Sequence, residues 1–205
     1  MFDLYVITDP SRGDALIDIT RRALLGTPPG RIALQLRLKP WTPQRRREAA
    51  QKLRELTASA GAALIVNGEP ALAREVGADG VQLPEDGPSV ADARSLLGPG
   101  ASIGASCHDG EGLGRAQARG ADFATLSPFH GVADKGPPLQ REQATEWMRR
   151  SALPVLALGG ITPARAVDAI AAGASGVAVI RAVYAADDPH AVVMQLLAAC
   201  RPTDS

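Results

Sequence analysis

The chain alternates between short apolar runs, rich in β-branched residues, and longer segments in which apolar residues recur at helical spacing. Eight of the short runs are candidate strands: Leu4–Thr8, Ile32–Arg37, Ala63–Val66, Gly80–Leu83, Ser102–Ala105, Phe123–Leu126, Val155–Leu158 and Gly176–Ile180. They follow one another at intervals of about 20–30 residues, which is typical of parallel strands joined by helices. The pattern predicts an α/β protein.

The intervening segments have helical spacing, for example Pro43–Ala60, Ser89–Leu97, Glu111–Arg119, Thr162–Ala172 and Ala191–Ala199. Several of these segments begin with residues that cap helix N-termini, namely Thr42, Ser89, Asp109 and Thr162. Eight such strand–helix units predict one (β/α)8 TIM barrel domain over residues 1–205. The rival is an open doubly wound sheet, which usually has a glycine-rich loop after its first strand, and residues 9–13 (Asp-Pro-Ser-Arg-Gly) do not match that loop.

Composition narrows the function classes. Hydrophobic residues make up 45% of the chain and aromatic residues only 3%, so the core must consist of aliphatic side chains. Basic and acidic residues both number 22, and this balance argues against nucleic-acid and membrane-surface partners. We find no signal peptide and no apolar run of about 18 residues, and Cys107 and Cys200 are too few for a disulfide framework. We therefore expect a cytoplasmic protein.

Two strand ends near the C-terminus predict a phosphate site. Residues 157–162 (Ala-Leu-Gly-Gly-Ile-Thr) and 176–181 (Gly-Val-Ala-Val-Ile-Arg) each end a strand and open a helical segment. Glycine allows close approach of the backbone to a ligand, and helix N-termini present free N–H groups to anions. The last two strand ends of such barrels often bind phosphate. Gly160, Ile180 and Arg181 are the candidates; the alternative is two tight turns without a ligand.

A second set of candidates follows strand two. Gln35, Arg37 and Lys39 alternate along the chain, so their side chains share one face and point towards the barrel mouth. Lys135 and Arg181 are expected at the same mouth, which has few acids to balance them. This combination favours an anion-binding site over the alternative of a solvated strand end.

Six motifs, taken in order and with their spacing, resemble those of the thiamin phosphate synthase family, including its thiazole tautomerase (TenI-like) branch, over essentially the whole chain. They are residues 4–9 (Leu-Tyr-Val-Ile-Thr-Asp), 35–39 (Gln-Leu-Arg-Leu-Lys), 103–108 (Ile-Gly-Ala-Ser-Cys-His), 121–123 (Ala-Asp-Phe), 158–161 (Leu-Gly-Gly-Ile) and 176–179 (Gly-Val-Ala-Val). Synthases of this family join an aminopyrimidine pyrophosphate to a thiazole phosphate and release pyrophosphate. The resemblance implies a transferase of thiamin biosynthesis with small phosphorylated substrates, and it leaves open whether the protein forms a homo-oligomer.

The resemblance also implies roles for individual residues. It assigns catalysis to Arg37, Lys39, Ser106 and Lys135, and substrate binding to Gln35, Asn67, Gly160, Ile180 and Arg181. In this reaction the departing pyrophosphate leaves a pyrimidine-methyl cation. Catalysis then consists of charge stabilisation and placement of the thiazole nitrogen, without a side-chain nucleophile.

The chain departs from the family pattern at the metal site. The family's synthases bind magnesium through one aspartate after the position of Asn67 and another after strand four, and here these positions hold Gly68 and Gly87. We therefore assign no metal ligand and expect Mg²⁺ only if Asp86 or Glu85 replaces the missing carboxylates. The expected consequences are slow or undetectable synthase turnover, a shallow response to magnesium, and faster turnover after Gly68→Asp with Gly87→Asp.

Two other functions stay open on the sequence. The tautomerase branch uses a histidine just after strand six, where this chain has Pro128; His130, two residues further on, is the candidate replacement, and the alternative is a loop surface residue. His108 follows the Ser106 position near the expected site, and we interpret it as a residue that supports the site or the structure rather than as a catalytic one. A non-catalytic binder of thiazole phosphate or thiamin phosphate is the third candidate. Residues 128–138, rich in Pro, Gly and charge, are predicted to be a mobile active-site loop.

Overall fold

A computed structural model describes residues 1–132 and 137–200. Its eight strands are β1 Leu4–Ile7, β2 Ile32–Leu36, β3 Ala63–Asn67, β4 Gly80–Leu83, β5 Ser102–Cys107, β6 Phe123–Leu126, β7 Val155–Leu158 and β8 Gly176–Val179. All neighbours are parallel and follow sequence order, and β8 pairs with β1 through Leu4 and Val177 to close the barrel. This pairing confirms the (β/α)8 barrel and excludes the open sheet.

Helices alternate with the strands and cover the outside of the barrel. They are α1 Leu16–Leu24, α2 Pro43–Ala60, α3 Pro70–Glu75, α4 Val90–Leu97, α5 Gly110–Ala118, α6 Arg141–Arg150, α7 Pro163–Ala171, α8 Arg181–Tyr184 and α9 Pro189–Ala199. A short 3-10 helix, Pro10–Ala15, precedes α1. Among the described residues, no helix combines the length and the apolar character needed to cross a membrane.

Three of the four expected caps are confirmed. The side chains of Thr42, Ser89 and Asp109 accept hydrogen bonds from backbone amides in the first turns of α2, α4 and α5. Thr162 occupies the N-cap position of α7, but its side chain makes no capping hydrogen bond. The N-terminus of α7 therefore lacks the usual side-chain acceptor.

The strand ends differ from expectation by one or two residues. β2 ends at Leu36 rather than at Arg37, and β8 ends at Val179 rather than at Ile180. β5 instead extends to Cys107, because Cys107 pairs with Leu126 of β6 in the ladder. Such differences arise because strand ends depend on ladder partners as well as on local pattern.

Aromatic side chains close the barrel at the end where the strands begin. Phe2, Tyr5 and Phe123 contact one another with ring centroids 5.2–5.8 Å apart. Phe2 precedes β1, so this cluster fills the end of the barrel where the strands begin. Three of the chain's seven aromatic residues thus form a packed floor, and the interior opens only towards the carboxyl ends of the strands.

Candidate active site

The carboxyl ends of the strands surround a central cavity of about 620 Å³. Six of the predicted site residues line it: Gln35, Arg37, Lys39, Asn67, Ser106 and Ile180. Residues at this end of a β/α barrel come from several strands at once, which is where such barrels carry out chemistry. The structure therefore brings together residues that lie far apart in the sequence.

Alternation along strand two places the cationic side chains. Gln35 is buried inside the barrel, and Arg37 and Lys39 follow it at two-residue intervals into the cavity. Leu38, between them, is buried in the outer core, with 1% of its surface exposed. The backbone amide of Arg37 donates to the Thr8 side chain at 2.8 Å, and this bond fixes the end of β2 to the chain after β1. The anchored backbone positions the two cations.

His108, expected near the site as a supporting or structural residue, lines the central cavity. His108 Nδ1 lies 2.9 Å from the carbonyl oxygen of Ser127. Because a carbonyl only accepts, Nδ1 carries the proton, which leaves the Nε2 of the neutral ring as an acceptor. The sequence held a signal for this position, since His108 follows Ser106 by two residues and so shares its side of the chain. Thr125, another polar residue of the cavity lining, was not singled out from the sequence.

A second cavity of about 300 Å³ adjoins the first beyond β7 and β8. The two cavities share Ser127, Leu158 and Ile180 in their linings. Gly160 and Arg181, both predicted for phosphate binding, line the second cavity. Two ligands bound in the two cavities would therefore meet at this shared wall.

The glycine turn of the second cavity has no space for a side chain. Gly160 has φ +60°, and a Cβ there would lie 2.8 Å from the His130 Cβ. The chain after β6 packs directly onto the turn, since the amides of Phe129 and His130 donate to the carbonyls of Leu158 and Gly159 at 2.8 and 3.0 Å. Only glycine fits this close packing.

The chemistry of the second cavity suits an anion. Arg165 and Arg181 line it, and its described lining includes no carboxylate. Within the described part of the chain, the amides of Gly160 and Ile161 donate to no backbone carbonyl. Free amides together with guanidinium groups match the oxygens of a phosphate group.

Two other reactive side chains, a histidine and a cysteine, lie outside the linings of both cavities. His130 lines neither cavity, and its buried Nε2 has no hydrogen-bond partner in residues 1–132 and 137–200. Burial, reinforced by the positive charge of Arg165, lowers the pKa of His130. Burial raises the pKa of Cys107 to about 11, so its thiol stays protonated in the outer core. Neither is placed to act on a ligand in the mouth.

The described residues do not fit the family's two-aspartate magnesium site. Gly68 and Gly87 carry no carboxylate, and the Glu85 carboxylate pairs with the Arg115 guanidinium at 2.5 Å. Asp86 does line the central cavity. No group of three or more His, Cys, Asp or Glu side chains within the described ranges could hold a metal ion.

The expected gain from Gly68→Asp with Gly87→Asp needs correction. A Cβ on Gly87 would lie 2.7 Å from the Pro84 Cγ and 3.0 Å from the Pro84 carbonyl oxygen. The loop would have to shift before it could accept an aspartate there. A Cβ on Gly68 would lie 3.6 Å from the Pro84 Cδ, but Gly68 has φ +70°, where any side chain is strained, although Asp tolerates this region better than most residues. Both substitutions therefore carry a structural cost, which is larger at Gly87.

Lys135, predicted to neutralise the leaving pyrophosphate, lies outside the described residues, as does Asp134. The described part of the 128–138 segment does reach the site, because Pro128, Gly131 and Val132 line the second cavity. The role assigned to Lys135 stays a prediction.

Comparison with known proteins adds an independent observation. The family model described as thiamine monophosphate synthase matches residues 4–183. The thiamine-phosphate synthases of Methanoculleus marisnigri and Xanthomonas campestris are both 40% identical to this chain, over 95% and 93% of it and over 93% and 91% of their own lengths. The structure of thiamine phosphate pyrophosphorylase from Pyrococcus furiosus superimposes with a TM-score of 0.84 at 29% identity, covering 97% of this chain and 95% of that one.

Proposed function

Because the chain belongs to the thiamine monophosphate synthase family, we propose that it joins an aminopyrimidine pyrophosphate to a thiazole phosphate and releases pyrophosphate. The observation that carries this proposal is the pair of cavities that meet at Ser127, Leu158 and Ile180. Coupling two phosphorylated substrates requires two anion sites whose ligands touch at their reacting ends. A single-substrate isomerase would need only one of them.

The central cavity takes the pyrimidine substrate. Arg37 and Lys39 face its pyrophosphate, whereas Gln35, Asn67 and Ser106 offer hydrogen-bonding groups to the pyrimidine end. A pyrophosphate carries several negative charges, so two cations on one strand neutralise part of that charge before and during bond cleavage.

The second cavity takes the thiazole substrate. Its phosphate binds the free amides of Gly160 and Ile161, with Arg165 and Arg181 beside them. This leaves the ring directed at the shared wall of Leu158 and Ile180. Holding the ring there replaces a bimolecular encounter by a positioned contact.

The reaction then follows from charge placement. The bond between the pyrimidine methylene carbon and the pyrophosphate oxygen breaks, and its electron pair leaves with the pyrophosphate. The resulting cation receives the lone pair of the thiazole nitrogen, which forms the new carbon–nitrogen bond. Arg37 and Lys39 stabilise the departing charge, and the apolar side chains of Leu158 and Ile180 limit the access of water to the cation.

This assignment is tested by incubating the protein with both substrates and quantifying thiamin phosphate and pyrophosphate. We expect both products in equal amounts, at a low rate, and only when both substrates are present. If both substrates bind by calorimetry yet no thiamin phosphate forms, the protein is the non-catalytic binder that its missing aspartates also favour. That outcome would contradict the proposal.

A further inference from the structure

A chain of hydrogen bonds crosses the barrel interior beneath the central cavity. Gln35 Nε2 donates to the Tyr5 hydroxyl at 3.1 Å, and that hydroxyl donates to Gln82 Oε1 at 3.4 Å. Gln82 Nε2 in turn donates to Ser106 Oγ at 3.1 Å and to Thr125 Oγ1 at 3.4 Å. Gln82 is 1% exposed, so these partners replace the water that its amide would otherwise bind.

All these bonds point in the same direction. Burial raises the pKa of Tyr5 well above its ordinary value, so the phenol keeps its proton and remains a donor to Gln82. With the Gln82 oxygen accepting from Tyr5, only its NH₂ group is left to face Ser106. Ser106 Oγ therefore accepts from below, and its own proton is turned away from Gln82.

The Ser106 hydroxyl proton points into the cavity. Ser106 lines the central cavity, and no acceptor in the described part of the chain takes its proton. Gln35 shows the complementary pattern: its side-chain NH₂ group donates to Tyr5, and no described group donates to its side-chain oxygen Oε1. The floor thus presents one donor, Ser106, and one acceptor, Gln35.

We propose that Gln82 is a positioning residue that makes this mouth select an aminopyrimidine over the corresponding oxopyrimidine. In an aminopyrimidine the exocyclic amine donates and the adjacent ring nitrogen accepts, which matches Gln35 Oε1 and the Ser106 hydroxyl. Replacing the amine by oxygen puts an acceptor in place of that donor and turns the adjacent ring nitrogen into an N–H donor. The Gln35 oxygen then opposes a second acceptor, and the Ser106 hydroxyl proton loses its acceptor on the ring, and both losses are costly in a desolvated site. The choice of pyrimidine as ligand rests on the proposed function.

The test reverses the direction of the hydrogen bonds between Gln82 and Ser106. Gln82→Glu offers only acceptor oxygens when ionised, so the Ser106 and Thr125 hydroxyls turn inwards and stop donating to the ligand. Calorimetry would compare the aminopyrimidine without its pyrophosphate, its oxo analogue, and inorganic pyrophosphate. We expect the wild type to prefer the amino compound by at least about tenfold, since unpaired buried polar groups cost that much or more. Gln82→Glu loses this preference, and its affinity for inorganic pyrophosphate falls because of the added negative charge beneath the cavity. Gln82→Met, which adds no charge, loses the preference and keeps the affinity for inorganic pyrophosphate.

Two further variants separate positioning from simple damage. Ser106→Ala loses the same preference, and adding Gln82→Glu to it causes no further loss, because Gln82 acts through the Ser106 hydroxyl. Gln82→Met, close in size and unable to hydrogen-bond, replaces Gln82→Glu if the latter fails to fold, and it too loses the preference. In Gln82→Met, a general distortion would instead weaken pyrophosphate binding as well.

Two results would overturn the inference. One is an unchanged amino-over-oxo preference in a folded Gln82 variant; the other is a wild type that binds neither pyrimidine or binds both equally. Product formation by the wild type, measured separately, distinguishes these results from failure of the proposed function. If thiamin phosphate forms while the preference for the amino compound is absent, the role proposed for Gln82 is wrong and the synthase assignment stands.

Discussion

At the scale of single residues, two arginines at the barrel mouth differ from several arginines of the surface. Surface arginines such as Arg21 and Arg47 are held by carboxylates, Arg21 by Asp18 at 3.0 Å and Arg47 by Glu75 at 2.5 Å. Arg37 and Arg181 make no ion pair with any carboxylate of residues 1–132 and 137–200. Their charge is therefore available to a ligand in the cavities.

Removing the Arg37 guanidinium should weaken pyrophosphate binding. For Arg37→Ala we expect the dissociation constant of inorganic pyrophosphate to rise about tenfold or more, because a hydrogen bond to a charged group contributes ~1.5–3 kcal/mol. Calorimetry measures the effect, with Arg47→Ala on α2 as the matched control. Equal losses in both variants would show that only the overall charge of the protein matters.

Arg181 should contribute less to the second cavity than a buried charge would. Its side chain is exposed, so Arg181→Ala is expected to weaken binding of thiazole phosphate by no more than about fivefold, in line with about 1 kcal/mol for an exposed charge pair. The same calorimetric titration with sulfate serves as a comparison. An affinity unchanged within error for both ligands would make Arg181 a surface residue without a role in binding.

At the scale of secondary structure, the alternation of short apolar runs with helical segments was enough to predict all eight strands. Within strand two, the alternation of side chains between the two faces placed Gln35, Arg37 and Lys39 on a common side. Contacts between distant segments could not be predicted in this way. His108 faces the cavity because its ring bonds to the Ser127 carbonyl of the next strand end. His130 is directed elsewhere because its loop packs against Gly160. Both orientations depend on tertiary packing.

The turn after β7 should tolerate no side chain at Gly160. A Cβ there would lie 2.8 Å from the His130 Cβ and 2.9 Å from the Gly131 carbonyl oxygen, at a left-handed φ. We expect Gly160→Ala to lower the free energy of unfolding by about 1–3 kcal/mol, and to weaken phosphate binding. Urea unfolding and calorimetry measure the two effects.

The matched control for that substitution lies in α5. A Cβ on Gly114 would meet nothing within 4 Å, and Ala is favoured over Gly in a helix by about 1 kcal/mol. Gly114→Ala should therefore leave stability unchanged or raise it. If both variants were equally stable and bound phosphate alike, the close packing of the glycine turn would be functionally irrelevant.

The half-buried His130 should make the protein less stable in mild acid. Its pKa is lowered in the folded state, chiefly by burial and further by Arg165. The unfolded chain takes up a proton near the ordinary value of about 6.5, so the free energy of unfolding falls as the pH drops below that value. Urea unfolding at several pH values between 7.5 and 5 should show a steeper loss in the wild type than in His130→Gln. Parallel losses would contradict this origin.

At the scale of the whole molecule, one closed barrel brings both cavities, the proposed anion sites, to the same rim. The aromatic floor of Phe2, Tyr5 and Phe123 closes the opposite end, so ligands enter only where the strands end. Eight strand ends converge there, and the residue after β6, the last residue of β7 and the residue after β8 supply the wall that the two cavities share. The adjoining cavities support the proposed reaction between two substrates.

We propose that the barrel mouth couples two substrates and that cations, rather than a dedicated metal site, hold the leaving group there. The most direct measurement is the rate of thiamin phosphate formation over a magnesium titration that begins in chelator. The account predicts slow turnover that responds only shallowly to magnesium, because Gly68 and Gly87 provide no carboxylate and Glu85 is paired with Arg115. Fast turnover that collapses in chelator would contradict it, and would show that Asp86 or Glu85 binds the metal.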